Sequence, residues 1–134
     1  MPLAWKNEYS VNIREIDDQH RQLVSMINEL DRAMLQGQGK QALGTILGSL
    51  ISYAGSHFAT EERLMRQHGF PGYEEHAGKH AKMTEKVLDL ARQHEAGRPA
   101  LTIEVMKFLQ DWLDKHILGT DKKYGPFLNA KGVI

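Results

Sequence analysis

Apolar residues recur at steps of three and four in four separate stretches of this 134-residue chain, and no stretch alternates like a strand. That period matches one face of an α-helix, so each stretch has a stripe to bury, and glycine or proline separates one stretch from the next. The first opens near Asp17 or Asp18, either of which is placed to cap it, and lines up His20, Leu23, Val24, Ile27, Leu30 and Met34. Gly37-Gln-Gly39 stops it. The second runs from about Lys40 to Gln67 with Leu43, Ile46, Leu47, Leu50, Ala54, His57, Glu61 and Leu64 on one face, and Gly69-Phe-Pro-Gly72 ends it. Glu74 and Glu75 favour the start of the third by opposing its dipole, and His76, His80, Met83, Val87 and Leu90 follow. After Gly97-Arg-Pro99 the fourth begins near Leu101 or Thr102 and lines up Val105, Met106, Leu109, Trp112, Leu113 and His116.

Short connections between four such helices predict an all-α fold, an antiparallel up-and-down four-helix bundle. A length of 134 residues suits one domain with a real core. Within it, residues 1–16 are read as an N-terminal arm, 17–118 as the bundle and 119–134 as a C-terminal tail. The arm holds Trp5, Tyr9, Val11, Ile13 and Ile16, too apolar for a free end, and is expected to pack across the bundle.

Composition narrows the function. Lysine plus arginine and aspartate plus glutamate number 17 each, so no net field gathers nucleic acid or an anionic bilayer. No cysteine is present, which removes disulfides, thiolate zinc sites and iron–sulfur ligation, so any metal must sit on nitrogen and oxygen. No segment approaches the ~20 apolar residues of a spanning helix, and the start lacks a basic stretch followed by an apolar run. A cytoplasmic protein without membrane insertion is expected.

Histidine is the unusual component. Five of the seven continue an apolar stripe: His20, His57, His76, His80 and His116. A single inward imidazole is more often a hydrogen-bonded core residue than a ligand. Five in one small bundle need partners for their nitrogens where few other polar groups exist, and a shared metal satisfies them together. His76 and His80 stand four apart, as do His57 and Glu61, so each pair lies within one helical turn. His116 and Asp121 stand five apart. At about 100° per residue a regular helix would place them roughly 140° apart, so the helix is predicted to end or widen near Gly119. Seven donors exceed the four of a closed tetrahedral zinc site, and five histidines are more than one ion usually takes, which makes two ions the natural reading, with Glu61 and Asp121 suited to span both. His68 and His94 sit near helix ends among polar neighbours and are left outside the site, and Glu62 is read as a surface acid.

Together these fragments resemble the hemerythrins, specifically the single-domain bacterial kind. The resemblance is carried by the Trp5 arm, Ile16-Asp17-Asp18-Gln19-His20, His57-xxx-Glu61, His76-xxx-His80, His116-xxxx-Asp121 and Tyr124-Gly-Pro126, in that order and spacing. It implies two iron ions in a non-haem, oxo- or hydroxo-bridged centre that binds O2 reversibly. By that similarity His76, His80 and His116 hold one iron, His20 and His57 the other, and Glu61 and Asp121 bridge them. No side chain acts as nucleophile or base.

The ligand chemistry agrees without the family name. Diiron carboxylate enzymes use Glu-x-x-His motifs on two helices, and none occurs in this sequence. An imidazole-rich site favours ferrous iron and milder chemistry. A reversible carrier also needs a dry wall, for which Leu23, Leu113 and Ile117 are the choices; Tyr124 is expected to pack or hydrogen-bond at the site's edge. The expected role is O2 transport, storage or delivery by a monomer in a bacterial cell, with an oxygen-consuming enzyme as recipient. The alternatives are an O2 or redox sensor module, or a diiron enzyme or iron-handling protein acting on peroxide or NO.

Overall fold

The structure is a computed structural model, and it describes residues 3–98 and 101–134. Four helices account for most of it: α1 Arg14–Leu35, α2 Gly39–Gln67, α3 Tyr73–Glu95 and α4 Leu101–Trp112. Each packs against its neighbours in a closed ring, α1 on α2, α2 on α3, α3 on α4 and α4 back on α1. The chain after α4 continues as a π-helix over Leu113–Thr120, tightens into a single 3-10 turn at Asp121–Lys123 and ends in α5, Tyr124–Ala130. Among the described residues there is no strand, and no helix is long and apolar enough to cross a membrane. Pro99, read as part of the break before α4, lies outside the described residues.

The helices end where the punctuation predicted. After α1 and α2 the chain reverses through Gly37 and Gly69, both at a φ of 72° that a side chain would strain. In each case the next amide reaches back to a carbonyl of the last turn, Gln38 to Ala33 at 2.7 Å and Phe70 to Met65 at 2.9 Å. This is the left-handed closure that satisfies the orphan carbonyls of a helix end.

At the start of α1 the expectation fails. The helix begins at Arg14 with Ile13 before it and no side-chain cap, so Asp17 is already inside the first turn. Its carboxylate instead accepts hydrogen bonds from the Ser10 hydroxyl and, at 2.8 Å, from the Val11 amide. Asp17 therefore clasps the arm to the helix, a tertiary use of an acid that local patterning reads as a cap.

The arm does pack across the bundle. Leu3 exchanges two hydrogen bonds with the Asn28 amide, at 2.6 and 2.7 Å, and the Trp5 ring lies 4.6 Å from the Arg21 guanidinium. Its inner residues Val11 and Ile13 join Ile16, Leu64, Met65, Tyr124 and Leu128 in a small apolar cluster. The main cluster fills the length of the bundle, with Leu23, Ile27, Leu47, Leu50, Val87 and Leu109 among its members.

Candidate metal centre

Helix periodicity delivers the polar residues to the same interior as the leucines. His20 comes from α1, His57 and Glu61 from α2, His76 and His80 from α3, His116 from the π-helix, and Asp121 opens the turn that follows it. None of the seven is more than 4% exposed. Their ligand-type atoms form two overlapping groups, each with all members within 4.8 Å of one another: Glu61, His76, His80, His116 and Asp121 in one, His20, His57, Glu61 and Asp121 in the other. Three imidazoles thus fall on one side and two on the other, with both carboxylates common to the two.

Each carboxylate also divides its oxygens. Glu61 turns Oε1 to His57 and, at 3.8 Å, to His20, while Oε2 lies 3.4 Å from His76 Nε2. Asp121 turns Oδ2 to His20 at 3.2 Å, and its Oδ1 stands 2.9 Å from both His76 and His116. His80 and His116 bring their Nε2 atoms within 3.3 Å of each other.

The five-residue spacing of His116 and Asp121 is resolved by widening rather than by ending the helix. The Asp121 amide donates to the His116 carbonyl, a bond across five residues that closes one π-turn. Both side chains then share a face. The widening covers all of Leu113–Thr120 and does not centre on Gly119.

A second layer of side chains orients the imidazoles. Glu62 Oε2 accepts from His80 Nδ1 at 2.9 Å, and Gln19 Oε1 accepts from His57 Nδ1. Because both acceptors occupy Nδ1, each ring presents a bare Nε2 to the interior, the arrangement that ligating histidines show. Glu62 is thus corrected: it is only partly exposed, and it holds a site histidine instead of lying idle on the surface. Gln19 and Tyr53 both touch His57, contacts that the sequence reading missed; Tyr53 stands one turn before His57, and that spacing was the available signal. Three rings cover imidazoles face to face: Trp112 on His116 and Phe58 on His80, both at 3.9 Å, and Tyr53 on His57 at 5.0 Å. Leu23, Leu113 and Ile117 are buried in the main apolar cluster together with Phe58 and Tyr53. Tyr124 lies in the interior, its ring 5.4 Å from His76. His94 packs near Gly44 and has no place in the site.

The electrostatics is that of a cation site. Burial works against charge on both carboxylates, yet neighbouring imidazoles hold Glu61 and Asp121 below the usual carboxylate range. Burial likewise opposes protonation of His20 and His76, but Asp121 and Glu61 outweigh it and raise them to about 10 and about 9. His80 is lowered to about 3, first by burial and then by the neighbouring His76 and His116 imidazoles. Both oxygens of Glu61, both of Asp121, both nitrogens of His20 and Nε2 of His76 are buried without a hydrogen-bond partner. So many orphaned donor atoms converging on one place is costly unless cations engage them. The nitrogen and oxygen set, split three and two with shared carboxylates, fits a pair of iron ions.

Comparison with known proteins agrees. Residues 11–128 match the family model described as the hemerythrin HHE cation binding domain. The bacteriohemerythrin of Methylococcus capsulatus is 33% identical over 123 residues, covering 92% of this chain and 93% of the relative. That of Stenotrophomonas maltophilia is 32% identical over 128 residues, covering 96% and 82%. Among solved structures, wild-type hemerythrin superposes with a TM-score of 0.85 at 32% identity, covering 96% of this chain and 98% of that one.

Proposed function

The chain belongs to the hemerythrin family, and on that premise we propose that it binds O2 reversibly at a diiron centre held by the seven buried side chains. His76, His80 and His116 terminate one iron, His20 and His57 the other, and Glu61 and Asp121 bridge the two. The observation that carries this reading is the division of donor atoms into groups of three and two histidines that share both carboxylates. An iron with one histidine fewer keeps a position for a small ligand, whereas its neighbour is filled.

The residues present favour binding over turnover. Only two carboxylates serve five imidazoles, and neutral nitrogen donors keep iron in the ferrous state that takes up O2. The surrounding wall is apolar and aromatic, so water and protons that would carry off reduced oxygen are excluded. Glu62 and Gln19 hold His80 and His57 in the tautomer that ligates. The role that follows is carriage or storage of O2 in a bacterial cell for an oxygen-consuming enzyme.

The deciding experiment reduces the purified protein without air, admits O2 and records the visible spectrum alongside an iron count. Two irons per chain and a charge-transfer band that vanishes on deoxygenation are the expected result. Bleaching that does not reverse, or fewer than two metal ions, would overturn the reading.

A further inference from the structure

Because the seven ligand side chains are almost wholly covered, an electron donor in solution cannot touch the centre and must reach it through protein. Several surface grooves come near it, and they differ in charge. The groove that reaches His80 is lined by two acids, Glu62 and Glu85. The one beside Tyr53 is lined by serines and has no charged group. A cleft against His76 has a volume of only about 30 Å³, too small for an organic molecule.

The remaining groove, of about 440 Å³, lies between α3 and the α4/π-helix segment. Its floor is apolar, made by Met83, Phe108 and Trp112 with His116 behind them, and Lys79, Lys82 and Lys115 rim it against one acid, Asp111. Lys79 is engaged by Thr120 and Glu75. Among the described residues, no ion pair or hydrogen bond occupies Lys82 or Lys115. The volume is that of a small-molecule pocket, and the pattern is an aromatic floor under a cationic rim. A lone tryptophan at this depth is ordinary packing, but packing gives no reason to gather three lysines above it.

The floor leads to the centre. Trp112 lies flat on the His116 imidazole, with centroids 3.9 Å apart and planes 13° from parallel. His116 Nε2 in turn stands 2.9 Å from Asp121 and 3.3 Å from His80. Two stacked rings therefore bridge the groove and the three-histidine metal position.

Resting on the diiron reading above, we infer that this groove binds a planar aromatic anion with the size and charge of a reduced flavin mononucleotide, and that electrons pass from it through Trp112 and His116. The aromatic body stacks on the floor while its phosphate meets Lys82 and Lys115. The reduced flavin loses two electrons and two protons and becomes oxidised flavin. Two ferric ions, the product of autoxidation, each take one electron and become ferrous. The protons go to the bridging oxygen and to solvent. The groove thus restores the state that binds O2.

The test uses diferric protein carrying Trp5→Phe, so that Trp112 is its one tryptophan. Flavin mononucleotide and riboflavin, which lacks the phosphate, are titrated in turn while Trp112 emission and flavin anisotropy are followed. The phosphorylated flavin should quench Trp112 and bind roughly tenfold more tightly than riboflavin. Lys82→Glu with Lys115→Glu should erase that difference, while Lys40→Glu, which does not line the groove, leaves it intact. In the same double variant, reduction of the diferric centre by a subsaturating amount of reduced flavin mononucleotide should slow roughly tenfold. Trp112→Leu should keep the preference for phosphate and slow reduction at saturating donor. Equal affinity for the two flavins, or an unchanged constant in the lysine variant, overturns the groove. Full reduction rate in Trp112→Leu overturns the electron route. The binding arm is run on the metal-free protein as well, where it reads flavin and tryptophan alone, so it stands or falls independently of the iron count.

Discussion

A buried imidazole works as a ligand only if something fixes which nitrogen carries the proton, and in this chain that task falls on residues one step from the proposed metal ligands. Glu62 follows Glu61 directly in sequence but turns to His80 on the next helix. Removing its carboxylate leaves the Nδ1–H of a buried ring without an acceptor, and such outer partners are worth about 10- to 100-fold in metal affinity. Glu62→Ala should therefore lose iron to a chelator at least about tenfold more readily, with Glu62→Gln in between because it keeps a neutral acceptor. Wild-type retention in both variants would return Glu62 to the surface. Ile117, proposed as part of the dry wall, is buried in the main cluster and follows His116. Ile117→Thr places a hydroxyl in that dry interior and should speed autoxidation, measured as decay of the O2-bound spectrum; an unchanged rate would count against its role. The inward direction of Ile117 was legible in the sequence and the contact of Glu62 was not, because helical periodicity tells which side chains face inward and not what a border residue meets on another helix.

The element that does most for the site is the π-helix. A regular α-helix would put Asp121 on the wrong face, and the wider turn brings it under His116 through one backbone bond. The expectation gave Gly119 the credit. In the structure it has no left-handed φ, and a Cβ built there would meet no atom within 4 Å. The widening therefore belongs to the whole segment. Gly119→Ala should leave two irons bound and stabilise the fold by about 0.5–1 kcal/mol, the usual gain on replacing a glycine within a helix. Chemical denaturation with a metal assay checks both; loss of stability or of iron would show that the glycine is required. The first helix teaches a similar lesson. An acid near a helix start is a cap by local rules, whereas Asp17 instead reaches back to Ser10 and Val11 of the arm.

Across the whole molecule, the buried site ties stability to pH in a way that metal should reverse. In the metal-free protein His20 and His76 are raised from 6.5 to about 10 and about 9, with Asp121 and Glu61 overcoming burial. A raised base contributes stability that is complete below pH 6.5 and is lost as pH climbs through 9 and 10. His80 has the opposite sign: burial lowers it to about 3, so stability falls as pH drops from 6.5 towards 3. Glu61 and Asp121, lowered by the imidazoles despite burial, add to the acid side, because their contribution is present above the ordinary carboxylate range and lost below it. The metal-free fold should be most stable near pH 6.5 and weaken on both sides. Iron takes the place of the protons on His20 and His76, so the loaded protein should keep its stability at pH 8 to 9 and release metal below about pH 5 to 6, where protons compete for imidazole. Melting temperature against pH for both forms, with an iron assay, is the measurement. A metal-free optimum at pH 9 would contradict the raised histidines, and full iron retention at pH 4 would mean that several proposed ligands are wrong.

The all-α architecture, the breaks between helices and the inward direction of five histidines and Glu61 were determined by the sequence itself. All of these follow from a period of three to four residues and from turn chemistry, which are local properties of the chain. The tertiary structure decided the rest: that Glu61 and Asp121 divide their oxygens between two groups of histidines, that Gln19 and Glu62 set the tautomers of His57 and His80, and that Asp17 belongs to the arm. Each of these depends on which helix lies beside which and at what height. No spacing along one helix carries that information, because it arises only when the buried stripes close on one another.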